Sequence, residues 1–142
     1  MNYLVMGAPG AGKTTFCREN LGAGVMYDLD LIATALRGNR ELDPDDPRSR
    51  TFNDDARDIA DQLLVPMIEA ARRVRPTSFF LIRTAPTLEE VEALMPDQVF
   101  WIRSIAAEVR CGDRMYEKLE RTADMIERAG YPVRHFTPCI EA

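Results

Sequence analysis

The sequence predicts an α/β protein with a three-layer, doubly wound, mostly parallel five-stranded sheet. Short apolar runs alternate along the chain with longer segments of helical periodicity. Strands that alternate with helices form parallel sheets, which helices cover on both faces. Glycine-rich or polar residues follow several of the apolar runs. We therefore expect a functional site at the carboxyl ends of the strands, where ligands bind such sheets.

Length and composition limit the classes of function. With 142 residues the chain can build one core, and we expect residues 1–142 to form a single domain. A net charge of −5 argues against a broad nucleic-acid-coating surface. No segment resembles a membrane span or a secretory signal. The three cysteines, an odd number, lack the spacing of a metal site. We expect a cytoplasmic protein with no membrane partner.

Each element has its own signal. The predicted strands are 3–6, 25–27, 78–82, 98–102 and, at the edge of the sheet, 133–136. The predicted helices are 15–19, 31–36, 53–73, 87–95 and 105–128. Thr87 and Glu90 form a capping box, Pro66 should kink the third helix, and Gly112 is a candidate break in the last one. The polar, proline-containing segment 39–50 is interpreted as a mobile or functional loop.

Two of the predicted helices show an apolar stripe that should face the core. In the third helix the stripe is Phe52, Ala56, Ile59, Leu63, Met67 and Ala71, widened by Ala60, Leu64 and Ile68. In the last helix the stripe is Ile105, Val109, Tyr116, Leu119, Ala123 and Ile126.

The most specific motif, G-x-x-x-x-G-K-T, lies between the first predicted strand and the first predicted helix. It comprises Gly7, Ala8, Pro9, Gly10, Ala11, Gly12, Lys13 and Thr14, and Thr15 follows it. Glycines let a loop turn its backbone N–H groups towards phosphate oxygens, and the helix start adds the positive end of its dipole. We expect these nine residues to bind a nucleoside triphosphate, ATP. Lys13 should reach the β- and γ-phosphates, and the Thr14 hydroxyl should ligate Mg²⁺.

Two aspartates follow the second predicted strand. Asp28 and Asp30 are two residues apart and would point the same way from the carboxyl end of the sheet. A carboxylate there can accept a proton from a substrate hydroxyl or hold Mg²⁺. The alternative is that Asp30 caps the next helix. We interpret Asp30 as a catalytic base and Asp28 as a metal residue.

Arginines provide further candidates. Arg83 follows the third strand, where a Walker B aspartate is often found, and it either faces an anionic ligand or is an ordinary surface residue. The last helical segment carries a series at spacings of 7, 4, 7 and 7, namely Arg103, Arg110, Arg114, Arg121 and Arg128. The series is either a solvated face or a lid that opens at Gly112. In a lid, Arg110 and Arg114 would fold over the transferring phosphate as catalytic residues.

Together these features resemble the small P-loop kinases of the polynucleotide-kinase and zeta-toxin type, including short phage-encoded members. The resemblance is specific at the loop 7–14 and at the segment 25–30. It implies the P-loop NTPase fold, and in that family an aspartate just after the second strand activates the acceptor hydroxyl. Asp30 matches that position, and Asp28 matches a neighbouring polar site. The chain departs from the family at Ala33, often an arginine, and at Arg83, often an aspartate.

The leading hypothesis is therefore a kinase that moves the γ-phosphate of ATP to a hydroxyl. The expected acceptor is a nucleotide, a nucleic-acid end or another small hydroxyl compound. The alternative is a nucleotide-binding module or slow ATPase that acts through a protein partner. The missing Walker B aspartate is compatible with that alternative. A third interpretation, a degenerate fold kept for interactions, conflicts with the intact pair of Lys13 and Thr14.

Overall fold

The computed structural model describes residues 1–40 and 55–138. Most of the predicted 39–50 loop, the apolar Phe52, the predicted helix start at residue 53 and Cys139 lie outside the described residues. Within those ranges the chain forms five strands and seven helices. They are β1 (Asn2–Met6), α1 (Lys13–Asn20), β2 (Val25–Asp28), α2 (Leu29–Leu36), α3 (Asp55–Gln62), α4 (Leu64–Val74), β3 (Phe79–Ile82), α5 (Leu88–Leu94), β4 (Gln98–Ile102), α6 (Ile105–Cys111), α7 (Asp113–Arg128) and β5 (Val133–Phe136).

The strands form one sheet in the order β2-β3-β1-β4-β5, and all four pairings are parallel. The predicted α/β class and the five-stranded sheet are confirmed, and β5 lies at an edge as predicted. β1 is central, so the loop that follows it emerges between β3 and β4. The register pairs Val5 of β1 and Asp28 of β2 with the same residue of β3, Ile82. The carboxyl ends of these three strands are therefore level.

Helices cover both faces of the sheet, and two neighbouring residues of β4 show it. The Phe100 ring lies 5.2 Å from the Phe16 ring of α1. The Trp101 ring lies 6.2 Å from the Tyr116 ring of α7. Successive residues of a strand point to opposite faces, so α1 and α7 lie on opposite sides of the sheet. This is the three-layer arrangement expected of a doubly wound fold.

The core consists of the central strands and the inner faces of the helices. All four residues of β3 are buried, as are the last three of β1, because a strand covered on both faces has no solvent side. This explains why β3 and the buried part of β1 are apolar runs. Throughout the described ranges, every helix is too short or too polar to span a bilayer.

The third predicted helix is divided in two at Leu63: α3 ends at Gln62 and α4 begins at Leu64. Pro66 has no N–H to donate to the Gln62 carbonyl, and its ring crowds that carbonyl. As the third residue of α4, it sits in a first turn, where the backbone N–H groups have no intrahelical partner. The predicted kink at Pro66 thus takes the form of an interruption at Leu63, three residues upstream, where the backbone stays in the αR region.

The buried faces of the helices also differ from the predicted stripes. Ala60, Leu64 and Ile68, predicted as the flank of the third helix's stripe, are its buried residues, whereas Ile59 is 52% exposed. In the last segment Gly112, with φ 84° and ψ 172°, separates α6 from α7. Leu119, Ala123 and Ile126 of α7 are buried as predicted. Ile105 and Val109 of α6 are exposed, and their prediction was wrong because α6 does not continue the direction of α7.

The loop after β1 begins with a close backbone approach. A Cβ added to Gly7 would lie 2.7 Å from the Ile102 carbonyl oxygen at the end of β4, and the φ of Gly7 is +154°. Real Cβ atoms do not approach backbone oxygens so closely, and this φ disfavours any other residue. Gly7 is therefore required for the loop to leave β1 against β4.

We expect Gly7→Ala to lower the free energy of unfolding by about 3 kcal/mol, because a backbone clash adds to the unfavourable φ. Gly22→Ala is the matched control, since Gly22 has a φ of +54° and nothing within 4 Å of its added Cβ. The control should cost only about 1 kcal/mol. Urea unfolding of both variants measures the difference, and equal losses would contradict the role of the close approach.

Candidate active site

A cavity of about 630 Å³ opens at the carboxyl ends of β1, β2 and β3. The predicted site residues that line it are Pro9, Gly10, Gly12, Lys13, Thr14, Thr15, Asp28 and Asp30. Gly7, Ala8 and Ala11 of the predicted loop are buried and shape the loop from below. The other lining residues are Leu29, Arg57, Ile82, Arg83, Thr84, Ala85, Met115 and Lys118. The structure thus brings the loop and both aspartates to one cavity.

The loop turns tightly before it enters α1. The Ala11 N–H donates to the Ala8 carbonyl at 3.0 Å, and Gly10 and Gly12 have φ values of 82° and 98°. Gly12 precedes α1 and supplies no side-chain cap, and the first turn of α1 has no acidic residue. The backbone N–H groups at this helix start are therefore available for an anion in the cavity.

The ammonium group of Lys13 lies over the start of the loop. Its Nζ donates to the carbonyl oxygens of Gly7 at 2.7 Å and Ala8 at 2.8 Å. Burial lowers the pKa of Lys13 to about 8, against the opposing charges of Asp28 and Asp30. The group is therefore only partly compensated, and an anion bound beside it would favour its charged form.

The Thr14 hydroxyl is joined to the Asp28 carboxylate. Thr14 Oγ1 donates to Asp28 Oδ2 at 2.5 Å, and Asp28 is only 7% exposed. The other oxygen of Asp28 accepts from the backbone N–H groups of Asp30 at 2.9 Å and Leu31 at 3.3 Å. Asp28 therefore caps α2. The proposed alternative for Asp30, a helix cap, was wrong, because Asp30 lies inside the first turn of α2.

Thr14 and Asp28 present two oxygen atoms that suit a hard cation. Mg²⁺ is commonly held by one or two protein oxygens and completed by phosphate oxygens and water. In the part of the chain that the structure describes, no group of three or more His, Cys, Asp or Glu residues is placed to hold a metal ion. A site that depends on ligand phosphates needs no such group, and the buried Asp28 carboxylate fits it.

Asp30 has a more open environment than Asp28. Its side chain is 75% exposed and lies 2.5 Å from Arg57 of α3, measured between Oδ1 and Nη1. Both residues line the cavity. Asp30 is therefore placed where a diffusing substrate can reach it, while Asp28 is enclosed by the loop and α2.

Arg83 lines the cavity but is held by two carboxylates, so the prediction that it faces an anionic ligand stays a prediction. Its Nε lies 2.8 Å from Glu90 of α5, and its Nη1 lies 2.9 Å from Asp61 of α3. Glu90 also completes the predicted capping box with Thr87 at the start of α5. The side chain of Arg83 is 22% exposed, so it is not an ordinary surface residue. Its charge is matched by two carboxylates, so it links α3, α5 and β3.

The arginine series divides between different surroundings. Arg103 donates to Glu108 at 2.7 Å and stacks over the Trp101 ring at 4.2 Å. The hydrogen bond from Arg103 lowers the pKa of Glu108. Arg110 lies over the loop, with Nη2 3.7 Å from the point where Gly10 would carry a Cβ. Because α6 and α7 are separate helices, the series does not form one continuous face.

On α7, Lys118 occupies the place expected of an arginine. Arg114 is exposed and is not one of the described residues that line the cavity, whereas Met115 and Lys118 line it one turn apart. Sequence reasoning also missed Arg57. Lys118 lies four residues after the candidate Arg114, on the same helix face, and this spacing is a signal that could have found it. Arg57 reaches Asp30 only because α3 packs against α2, which no local pattern reveals.

Comparison with known proteins adds little to this geometry. No protein-family model matches the chain, and no curated protein matches it. Among solved structures, the chain is similar to an unliganded sugar kinase from Janibacter sp. HTCC2649, with 17% identity and a TM-score of 0.45. The match covers 96% of this chain and 84% of that one. A likeness at this level carries no information about substrate or mechanism.

The lowered pKa of Lys13 predicts that ATP binding weakens in alkaline solution. Below pH 8 the ammonium group is charged and attracts the triphosphate, and as the pH rises through 8 the free protein loses that charge. We expect the dissociation constant to rise roughly tenfold between pH 7.5 and 9.5.

Isothermal titration with ATP and Mg²⁺ at fixed ionic strength measures this dependence. Lys13→Met is the matched variant, which should bind more weakly with a nearly flat profile above pH 7.5. A wild-type profile as flat as that of Lys13→Met would contradict the assignment of the pH dependence to Lys13.

Proposed function

We propose that this protein is an ATP-dependent phosphotransferase that moves the γ-phosphate of ATP to a hydroxyl. One observation supports it above the others. A single cavity contains a lysine and a threonine at a helix start, a buried carboxylate bonded to that threonine, and an exposed carboxylate beside them. A nucleotide site needs the first three groups, and a transfer site needs the fourth.

The loop and the start of α1 provide the nucleotide end of the site. The backbone N–H groups that follow Gly12 would meet phosphate oxygens, and Lys13 would exchange its contacts with two carbonyl oxygens for contacts with the β- and γ-phosphates. A cavity of about 630 Å³ is in the range of small-molecule sites. ATP is the nucleotide that we propose.

Thr14 and Asp28 would hold Mg²⁺ together with the phosphates. The ion would supply positive charge that offsets the negative charge developing on the phosphates. The task of the protein is to keep Thr14 and Asp28 together. Asp28 is fixed for this purpose by two backbone N–H groups of α2.

Asp30 would act as the base at the acceptor end. It takes the proton of the acceptor hydroxyl as that oxygen forms a bond to the γ-phosphorus. The bond from the γ-phosphorus to the bridging oxygen breaks, and ADP leaves with the electron pair. Lys13, Arg110 over the loop and Lys118 of α7 would stabilise the charge on the transferring group. We propose Lys118 for the role that the sequence suggested for Arg114.

The acceptor class proposed is a nucleotide, a nucleic-acid end or another small hydroxyl compound. Asp30 and Arg57 are 75% and 55% exposed, so this end of the cavity is open to solvent. An open end admits a molecule of which only the hydroxyl enters the site. The net charge of −5 argues for contact with one end of a nucleic acid rather than with its length.

The alternative is a nucleotide-binding module or slow ATPase that acts through a protein partner. The contact between Arg57 and Asp30 favours this alternative, because it engages the proposed base. The position after β3 also lacks a free acid, since it holds Arg83, which is paired with two carboxylates. In this alternative the nucleotide site is unchanged, but no acceptor receives phosphate.

We expect Asp30→Asn to lower transfer from γ-labelled ATP to an acceptor by about 10²–10⁴-fold, because the hydroxyl loses its base. Binding of ATP with Mg²⁺ should be retained, with a stabilisation of about 2.7 kcal/mol at 100 times the dissociation constant. A panel of nucleosides, nucleotides, oligonucleotides and sugars, followed by chromatography of the label, measures transfer.

Asp124→Asn is the control, because Asp124 pairs with Arg128 on the exposed side of α7. It should leave transfer unchanged. A wild-type protein that binds ATP but labels no member of the panel would support the module. Equal transfer by wild type and Asp30→Asn would exclude Asp30 as the base.

A further inference from the structure

The contact between Arg57 and Asp30 joins two parts of the cavity wall. Arg57 Nη1 lies 2.5 Å from Asp30 Oδ1, and both side chains line the cavity with Lys13 and Thr14. Asp30 belongs to α2 and Arg57 to α3, so the contact also bridges two helices. In this arrangement an oxygen of the proposed base is directed at a guanidinium group rather than at a hydroxyl.

This ion pair is more exposed to solvent than the ion pair between Arg83 and Glu90. The side chains of Arg57 and Asp30 are 55% and 75% exposed, whereas those of Arg83 and Glu90 are 22% and 10% exposed. Exposed ion pairs shift an equilibrium by only about two- to fivefold. A ligand that offers a comparable contact can therefore replace one partner, whereas the Arg83 contacts are retained as part of the fold.

We propose that Arg57 holds Asp30 in this ion pair until an anionic group of the acceptor replaces the Asp30 carboxylate as the partner of Arg57. This inference rests on the proposed phosphotransferase function. When Arg57 gives up the Asp30 oxygen, another anionic oxygen is the best replacement partner for its positive charge. The planar guanidinium group can form two parallel hydrogen bonds with a phosphate or a carboxylate. A neutral hydroxyl compound supplies no such group. The acceptor class is therefore a hydroxyl compound that also carries a phosphate or carboxylate.

The same exchange limits wasteful hydrolysis. Water is the simplest hydroxyl acceptor, and its attack on the γ-phosphorus yields ADP, inorganic phosphate and a proton. Water has no anionic group to contact Arg57, and the phosphates of ATP are assigned to the loop and Lys13 rather than to Arg57. We therefore expect Asp30 to stay engaged when only ATP is bound. Arg57 is thus a positioning residue that acts through Asp30, and it also contributes to the specificity for the acceptor.

Arg57→Gln removes the charge and tests both consequences. Transfer is measured from ATP to matched pairs of acceptors, namely glycerol and glycerol 3-phosphate, ribose and ribose 5-phosphate, and uridine and uridine monophosphate. We expect the wild type to prefer the phosphorylated members by tenfold or more in kcat/KM, mainly through KM, because charged hydrogen bonds are strong. Arg57→Gln should lose this preference, and Arg57→Lys should keep part of it.

Hydrolysis of ATP without acceptor is the second readout. Arg57→Gln should raise it by about two- to fivefold, the factor expected when an exposed pair is lost. Arg128→Gln is the control, because it breaks a pair that is 80% and 58% exposed on α7 and should change neither readout. Thermal unfolding of each variant confirms that the fold is retained.

The outcomes separate the inference from the proposed function. Equal kcat/KM values for neutral and phosphorylated acceptors in the wild type would overturn the role of Arg57. So would a preference for phosphorylated acceptors that is unchanged in Arg57→Gln. A wild type that binds ATP but labels no acceptor would overturn the phosphotransferase function. In that case, ATP hydrolysis would be the remaining test of whether Arg57 restrains Asp30. Equal hydrolysis rates for the wild type and Arg57→Gln would overturn the restraint as well.

Discussion

The hydrogen bond between Thr14 and Asp28 is the interaction on which the rest of the site depends. It ties the first turn of α1 to the end of β2, and the same carboxylate caps α2. One buried side chain thus fixes the loop, the second strand and the helix that carries Asp30. Because Asp28 is paired in register with Ile82 at the end of β3, its carboxylate lies beside the position where the sequence lacks a Walker B acid.

In this chain the position after β3 holds a structural arginine, and the acid beside Thr14 comes from a different strand. Arg83 joins β3 to α3 and α5 through Asp61 and Glu90, and this pairing is structural. The acid that faces Thr14 comes instead from the neighbouring strand. The half-buried guanidinium of Arg83 is paired with two carboxylates, so its positive charge is not left uncompensated. In the proposed function, the acid at this edge of the sheet is therefore Asp28.

Local sequence signals predicted the strands, the capping box and the glycine-rich loop, because each depends on residues that are close in the chain. The helix faces were less accurate. Gly112 divides a helix that periodicity treats as continuous, and in α3 and α4 the buried residues are those predicted on the flank of the stripe. Arg57 and the partners of Arg83 could not be predicted. Their contacts join α3 to α2, β3 and α5, and such contacts depend on how distant segments pack.

The central claim is that Asp28 supplies the acid of a Mg²⁺–nucleotide site. Its most direct test is the affinity for ATP with and without Mg²⁺ in the wild type and in Asp28→Asn, since asparagine caps a helix as well as aspartate does. The account predicts that Mg²⁺ tightens ATP binding by about tenfold or more in the wild type. It predicts little effect in a folded Asp28→Asn. An equal effect of Mg²⁺ in both proteins would contradict it.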